Sequence, residues 1–221
     1  MNLKLPMNTT EKKHLISLLS QGAQDLHLPL SDISLECLVH YLALIHKWNQ
    51  VYNLTAIKNP AAMLTRHILD SLSIAPYLNG QTIIDVGSGA GLPGIPLALC
   101  FPEKQFTLLD SNNKKTRFLI QAVAELNIPN ISVIHSRVES LQNTVNFDCI
   151  VTRAFAPLGV MITLTQHLCH PSGHILAMCG AYPRPEELEP ITHWSFKVYP
   201  LQVPSLHEQR HLVILEKKQD G

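Results

Sequence analysis

The 221-residue sequence predicts an α/β fold. It reads as a mostly parallel seven-stranded sheet with an antiparallel C-terminal strand, preceded by an N-terminal helical extension over residues 1–80 and closed by a single larger domain over 81–221. Three observations predict this. Up to residue 80, apolar residues recur at steps of three and four and no run reads as a strand. From residue 81, short apolar runs alternate with helical segments, the pattern of parallel strands joined by right-handed crossovers. The last two runs, 195–201 and 210–216, are joined without helical periodicity, which suits an antiparallel pair at a sheet edge.

The elements follow in order. Leu15, Leu18, Leu19, Ala23 and Leu26 place a helix over 10–28, with Thr9 or Thr10 as its cap and Pro29 ending it. Ser31 caps the next, whose apolar stripe runs through Leu35, Leu38, Leu42, Ile45, Trp48 and Tyr52. A third starts after Pro60 and carries Met63, Leu64, Ile68 and Leu72. Strands are expected at 82–86, 106–110, 131–135, 147–151 and 174–178, the fifth entered through a turn at Pro171-Ser172-Gly173. Helices are expected at 93–100, at 113–126 and after Pro157.

Composition narrows the function. Lys+Arg and Asp+Glu number 17 each, spread evenly along the chain, and only 15% of residues are charged against a norm of roughly 25%. The pI of 7.2 argues against a dedicated binder of naked nucleic acid, where domain values above about 9 are usual. Five cysteines without a Cys-x-x-Cys pair predict neither a disulfide framework nor a cysteine-rich zinc site. The first residues hold no apolar segment and no run suits a membrane span, so a cytoplasmic protein is expected. The tract from His167 to His174 carries three histidines without the spacing of helix-borne ligands, and no metal is expected there. Twelve histidines nevertheless let charge respond to pH near neutrality.

The chemistry gathers at Asp85-Val86-Gly87-Ser88-Gly89-Ala90-Gly91-Leu92-Pro93-Gly94. A glycine-rich turn that follows a strand and opens a helix lets backbone approach a ligand. Asp110, 21 residues after Gly89, stands where an acid accepts from a ribose diol. That spacing suits a dinucleotide and S-adenosylmethionine equally. Charge favours the second: Asp85 beside the loop repels a pyrophosphate and attracts a sulfonium and an ammonium.

The same stretch, continued through Ile95-Pro96-Leu97-Ala98, resembles the signature of the RsmG (GidB) family. Trp48-Asn49, Asn53-Leu54-Thr55 and His67 with Asp70-Ser71-Leu72 resemble its N-terminal helical motifs. Leu109-Asp110-Ser111, Lys114-Lys115, Phe118-Leu119, Arg137-Val138-Glu139 and Arg153-Ala154 resemble its later segments. The resemblance implies a class I, Rossmann-like S-adenosylmethionine-dependent methyltransferase acting on N7 of a guanine in bacterial small-subunit (16S) ribosomal RNA, with S-adenosylhomocysteine as the second product. It implies cofactor contacts from Asp85, Gly87, Ser88, Gly89, Gly91, Leu92, Asp110, Val138, Glu139 and Arg153. Arg153, at a strand's carboxyl end, also positions the acceptor. RNA contacts are expected from Asn53, His67, Asp70, Lys114, Lys115 and Arg117, in a monomer that works on ribosomal RNA within the small subunit. Where the family usually has Lys-Gly after the fifth strand, this chain has Cys179-Gly180. Two other readings stand beside this one: a methyltransferase for tRNA, protein or a small molecule, and a non-catalytic ribosome-assembly factor that keeps a cofactor pocket.

Overall fold

The computed structural model describes residues 7–141, 146–188, 191 and 193–218. The first helix, α1 (Thr9–Asp25), is capped by Asn8, whose side chain accepts from the Glu11 N–H. The expected caps Thr9 and Thr10 lie inside the helix. Asn8 precedes them and its carboxamide oxygen reaches the third residue on, the geometry that satisfies an orphan N–H. Helix α2 (Asp32–Tyr52) starts at the expected Ser31 cap and ends at Asn53, whose φ of 50° is the left-handed conformation that stops a helix. The third helical run, α3 (60–72), is not uniform. It opens as Pro60–Met63, widens into a π-helical stretch at Leu64–Leu69 and returns to α geometry at Asp70–Leu72.

Seven strands follow: β1 (Thr82–Val86), β2 (Gln105–Asp110), β3 (Ile131–His135), β4 (Phe147–Arg153), β5 (Cys169–Cys179), β6 (Trp194–Pro200) and β7 (His211–Lys217). Their order across the sheet is β3-β2-β1-β4-β5-β7-β6. Strands β1 to β5 pair in parallel, and β7 runs antiparallel to both β5 and β6. Helices α4 (Gly94–Cys100), α5 (Asn113–Glu125) and α6 (Leu158–Thr165) make the crossovers, and a short turn, α7 (Pro185–Leu188), precedes β6. The expected turn at Pro171-Ser172-Gly173 lies inside β5 instead. There the pairing with β4 shifts register, so the three residues form an irregularity within a longer strand rather than a turn before it.

The sheet buries both faces. On one side Leu38, Leu42 and Ile45 of α2 share a single apolar cluster with Ile83, Phe106 and Leu108, so the N-terminal helices extend the core of the sheet. On the other, Ile84, Ile150 and Ile175 pack with Met161 and Ile162 of α6. Trp48 and Tyr52 meet with ring centroids 5.2 Å apart and planes tilted by 35°, and lie against this core, Trp48 reaching Phe118 edge-on. Strand order reverses between β1 and β4. That switch point is where an open α/β sheet leaves a crevice at its carboxyl edge.

Candidate functional site

Two cavities open along that edge. The smaller, about 300 Å³, lies over the ends of β1 and β2. The larger, about 740 Å³, lies over β4 and β5 against α3 and the start of β7. Ala154 and Phe155 line both and form the partition between them.

The glycine turn walls the smaller cavity. It is held from below by backbone: the Gly87 and Ser88 N–H groups both donate to the Leu109 carbonyl, at 2.8 and 3.1 Å. The Ser88 hydroxyl donates to the Asp85 carbonyl at 2.8 Å. Asp110 reaches across from β2, one carboxylate oxygen accepting from Gly89 N–H and the other from Asn112 N–H, both at 2.8 Å. Each of those oxygens keeps a lone pair, so the carboxylate can still accept from a ligand hydroxyl. Gly87 needs its glycine twice over. Its φ is +74°, and a Cβ there would stand 2.5 Å from the Phe155 ring.

Asp85 is wholly buried beneath this loop. One of its oxygens accepts from Gly94 N–H at 2.9 Å. The other is buried with no hydrogen-bond partner. Burial pushes its carboxyl up to about 7, against the pull of Gly94 N–H and of the Arg153 guanidinium. A buried carboxylate with an unpaired oxygen beneath a glycine cradle fits a cationic group bound at the loop and opposes an anionic one. Gly94 is glycine for the same packing reason, since a Cβ would meet Leu108 at 2.3 Å and Asp85 Oδ2 at 2.7 Å.

Tyr41 is the contribution of the helical extension to this loop. It is fully buried in α2 and its hydroxyl donates to the Ala90 carbonyl. Tyr41→Phe strands that buried carbonyl. The expected outcome is a loss of about 1–2 kcal/mol in a denaturant titration, together with several-fold weaker cofactor binding by calorimetry.

The larger cavity is organised around Asp70, on the last turn of α3. Arg153 Nη1 donates to Asp70 Oδ2 at 2.9 Å and to the Arg66 carbonyl at 3.1 Å. Arg210, just before β7, donates from Nε to Asp70 Oδ1 at 3.0 Å. His67 shares a hydrogen bond with Thr55 at 2.8 Å, and burial followed by the Arg153 charge lowers it to about 4. It is therefore neutral at physiological pH and supplies no positive charge for RNA there.

Of the residues expected at the site, Gly87, Asp110, Lys115, Val138 and Glu139 line the smaller cavity. His67, Asp70 and Arg153 line the larger one. Arg153 does not reach the smaller cavity, since its guanidinium is spent on Asp70 and α3. Ser88 and Gly91 are buried in the loop, and Leu92 turns into the core as part of the cluster beneath it. Gly89 stands at the loop with its N–H on Asp110. Asn53 caps α2 away from both cavities, and Lys114 and Arg117 lie exposed on α5. Sequence reasoning missed Tyr41, Arg66, Glu208 and Arg210. Each acts across a long separation, and only the Arg210-His211 start of the last strand marks one of them locally. Cys179, at the lysine position of the RsmG pattern, lines the larger cavity, with burial raising its thiol.

Among the described residues no helix is long and apolar enough to cross a membrane, and no three His, Cys, Asp or Glu side chains group to hold a metal.

Known proteins match this arrangement over most of the chain. The family model described as rRNA small subunit methyltransferase G (GidB) matches residues 34–213. The ribosomal RNA small subunit methyltransferase G of Nitrosococcus oceani is 50% identical over 206 residues, covering 93% of this chain and 96% of that one. That of Hydrogenovibrio crunogenus is 47% identical over 215 residues, covering 96% and 99%. Among solved structures, a SAM-dependent methyltransferase from Aquifex aeolicus superposes with a TM-score of 0.53 at 15% identity, covering 76% of this chain and 96% of that one. The fold is thus that of class I methyltransferases, and the chain belongs to the rRNA small subunit methyltransferase G (GidB) family.

Proposed function

We propose that this protein transfers a methyl group from S-adenosylmethionine to N7 of a guanine in bacterial small-subunit (16S) ribosomal RNA, in the cytoplasm and as a monomer. The observation that carries the reading is the pair of adjoining cavities parted only by Ala154 and Phe155. One suits a cofactor and the other a flipped-out base, and reacting atoms must meet at about 3–3.5 Å where the two join. The working unit is residues 81–221, with residues 1–80 as the extension that braces its loop.

S-adenosylmethionine supplies an electrophilic methyl carbon when bound. Asp110 would accept from its ribose hydroxyls, Val138 and Glu139 would edge its adenine, and Asp85 would balance its positive charge from beneath the glycine loop. On the acceptor side Asp70 and Arg153 form one wall. The acid–base groups nearest the strand ends are already engaged: His67 is bonded to Thr55 and Asp70 holds two arginines. Guanine N7 offers a lone pair and no proton, so an acceptor of this kind needs no general base. The purine gains positive charge as the methyl arrives, and the Asp70 carboxylate and the backbone carbonyls at the ends of β4 and β5 favour that charge.

The test is labelled methyl transfer to small subunits from cells lacking this enzyme, to naked ribosomal RNA, to tRNA and to a protein extract, with the modified nucleotide mapped by mass spectrometry. N7-methylguanosine in small-subunit RNA is expected. Label in tRNA or protein, or none anywhere while the cofactor binds, overturns the reading in favour of another acceptor or of an assembly factor.

A further inference from the structure

A chain with 17 basic and 17 acidic residues cannot bind RNA by covering a long backbone with positive charge. Its cations must be placed. Four arginines line the larger cavity: Arg66, Arg153, Arg184 and Arg210. Arg153 is committed to Asp70, and Arg184 pairs with Glu186 and Glu187 beside it. Arg66 and Arg210 are different. They arrive from α3 and from the segment before β7, and both reach one carboxylate, that of Glu208. Arg210 contacts it at 3.5 Å, the limit of a hydrogen bond, while its Nε stays on Asp70. The Glu208 side chain is 48% exposed and Arg66 39%, so this bridge sits in solvent at the cavity rim.

Resting on the methyltransferase reading above, we propose that Arg66 and Arg210 form a phosphate subsite at the mouth of the acceptor cavity, which Glu208 fills in the free protein and a backbone phosphate of the RNA fills in the complex. A carboxylate and a phosphodiester present the same thing to two guanidiniums: one negative charge on two oxygens. The exposed bridge is weakly held, as surface ion pairs are, so displacing Glu208 costs little. A phosphate anchored there would hang its base toward Asp70 and Arg153 below. The exchange also swaps one bound anion for another. On the protein side this contact therefore releases no bound anion, so only cations leaving the RNA contribute to its salt dependence, which understates the number of arginines used.

The experiment measures equilibrium affinity for small ribosomal subunits lacking the modification, between about 50 and 200 mM salt. Glu208→Gln leaves Arg66 to bulk anions, while Arg210 stays on Asp70. It is expected to tighten binding about 5-fold at low salt and to steepen the plot of log affinity against log salt by about one unit. Arg66→Ala is expected to weaken binding about 10-fold, and Glu208→Gln added to it is expected to give little further gain, because the two changes act on one contact. Arg66→Lys separates loss of charge from loss of the fork, and melting curves confirm that each variant folds. Unchanged affinity and slope in Glu208→Gln, or equal gain from it with and without Arg66, overturns the subsite. If the native protein transfers methyl to these subunits while the subsite variants behave as native, only the subsite falls. If native protein neither binds nor methylates subunits, both readings fall.

Discussion

Asp85→Asn is expected to raise the melting temperature of the cofactor-free protein at pH 8 and to abolish cofactor binding in the same variant. The first half follows from linkage. Burial moves this carboxyl from its ordinary 3.8 to about 7. Below about pH 4 the group is protonated in folded and unfolded chains alike and contributes nothing. Between 4 and 7 the unfolded chain ionises while the folded one resists, so stability falls as pH rises. Above 7 the penalty levels off at about 4 kcal/mol, three pH units at 1.36 kcal/mol each. Asparagine keeps an oxygen for the Gly94 N–H and cannot ionise, so it escapes that penalty. The advantage of the variant should therefore vanish near pH 4, grow to pH 7 and then stay level. The second half follows from charge: the unpaired carboxylate oxygen beneath the loop is what a cation bound there would draw on. Native cofactor affinity should accordingly climb from about pH 6 to about pH 8, as ionising Asp85 ceases to cost binding energy. Melting curves at pH 5 and 8 with calorimetric titration check both halves. A variant that binds cofactor as the native protein does would remove Asp85 from the site. One that melts lower at both pH values would mean that asparagine fails to hold the loop.

Asp70→Ala is expected to be among the most destabilising single changes in the chain, costing about 3–5 kcal/mol, the range for a buried ion pair left with one partner. The Asp70 side chain is only 4% exposed and neutralises two guanidiniums, each about one-fifth exposed. Removing it leaves Arg153 and Arg210 facing each other, one from β4 and one from just before β7, with α3 held only by the Arg153 bond to the Arg66 carbonyl. Arg153→Ala is the milder change, because Arg210 still pairs with Asp70. The expected order of stability is native, then Arg153→Ala, then Asp70→Ala, read by urea unfolding, with added chloride restoring part of the loss in the last. Because these side chains line the larger cavity, both variants should lower turnover while cofactor affinity stays near native. The reverse order of stability, or cofactor affinity falling in step with turnover, would show that the network serves the cofactor loop instead.

Much of this molecule was legible along the chain. Strands β1 and β3 lie at their expected bounds, and α2 starts at Ser31, because strand alternation, helical periodicity and caps are written within a few residues of where they act. The glycine loop was legible for the same reason: strand, glycines and helix start are contiguous, and Asp110 lies one crossover away. The miss at α1 is also local. Thr9, Thr10 and Asn8 are all competent caps, and only the path of the chain selects one. The family resemblance implies a cofactor contact from Leu92. In the folded chain the loop turns it inward, where a leucine gains more from the core than from a cavity rim.

The larger cavity could not be read in the same way. Asp70 meets Arg153 across 83 residues and Arg210 across 140, and Arg66 meets Glu208 across 142. In sequence Arg66, Glu208 and Arg210 are further surface charges in a chain whose charges cancel, and Asp70 and Arg153 are singled out by the family resemblance, not by their pairing. The strand order β1-β4-β5-β7, with β7 antiparallel to the others, carries those residues to one rim, and α3 presents Arg66 and His67 from its π-helical stretch and Asp70 from the turn after it. The residues alone determine that there is a sheet, a glycine loop and an acid to face it, since those rest on short-range periodicity and backbone sterics. Which cations are free and which are spent is settled by long-range pairing, because the charge that neutralises each arginine arrives from elsewhere in the chain and only the folded sheet brings the two together.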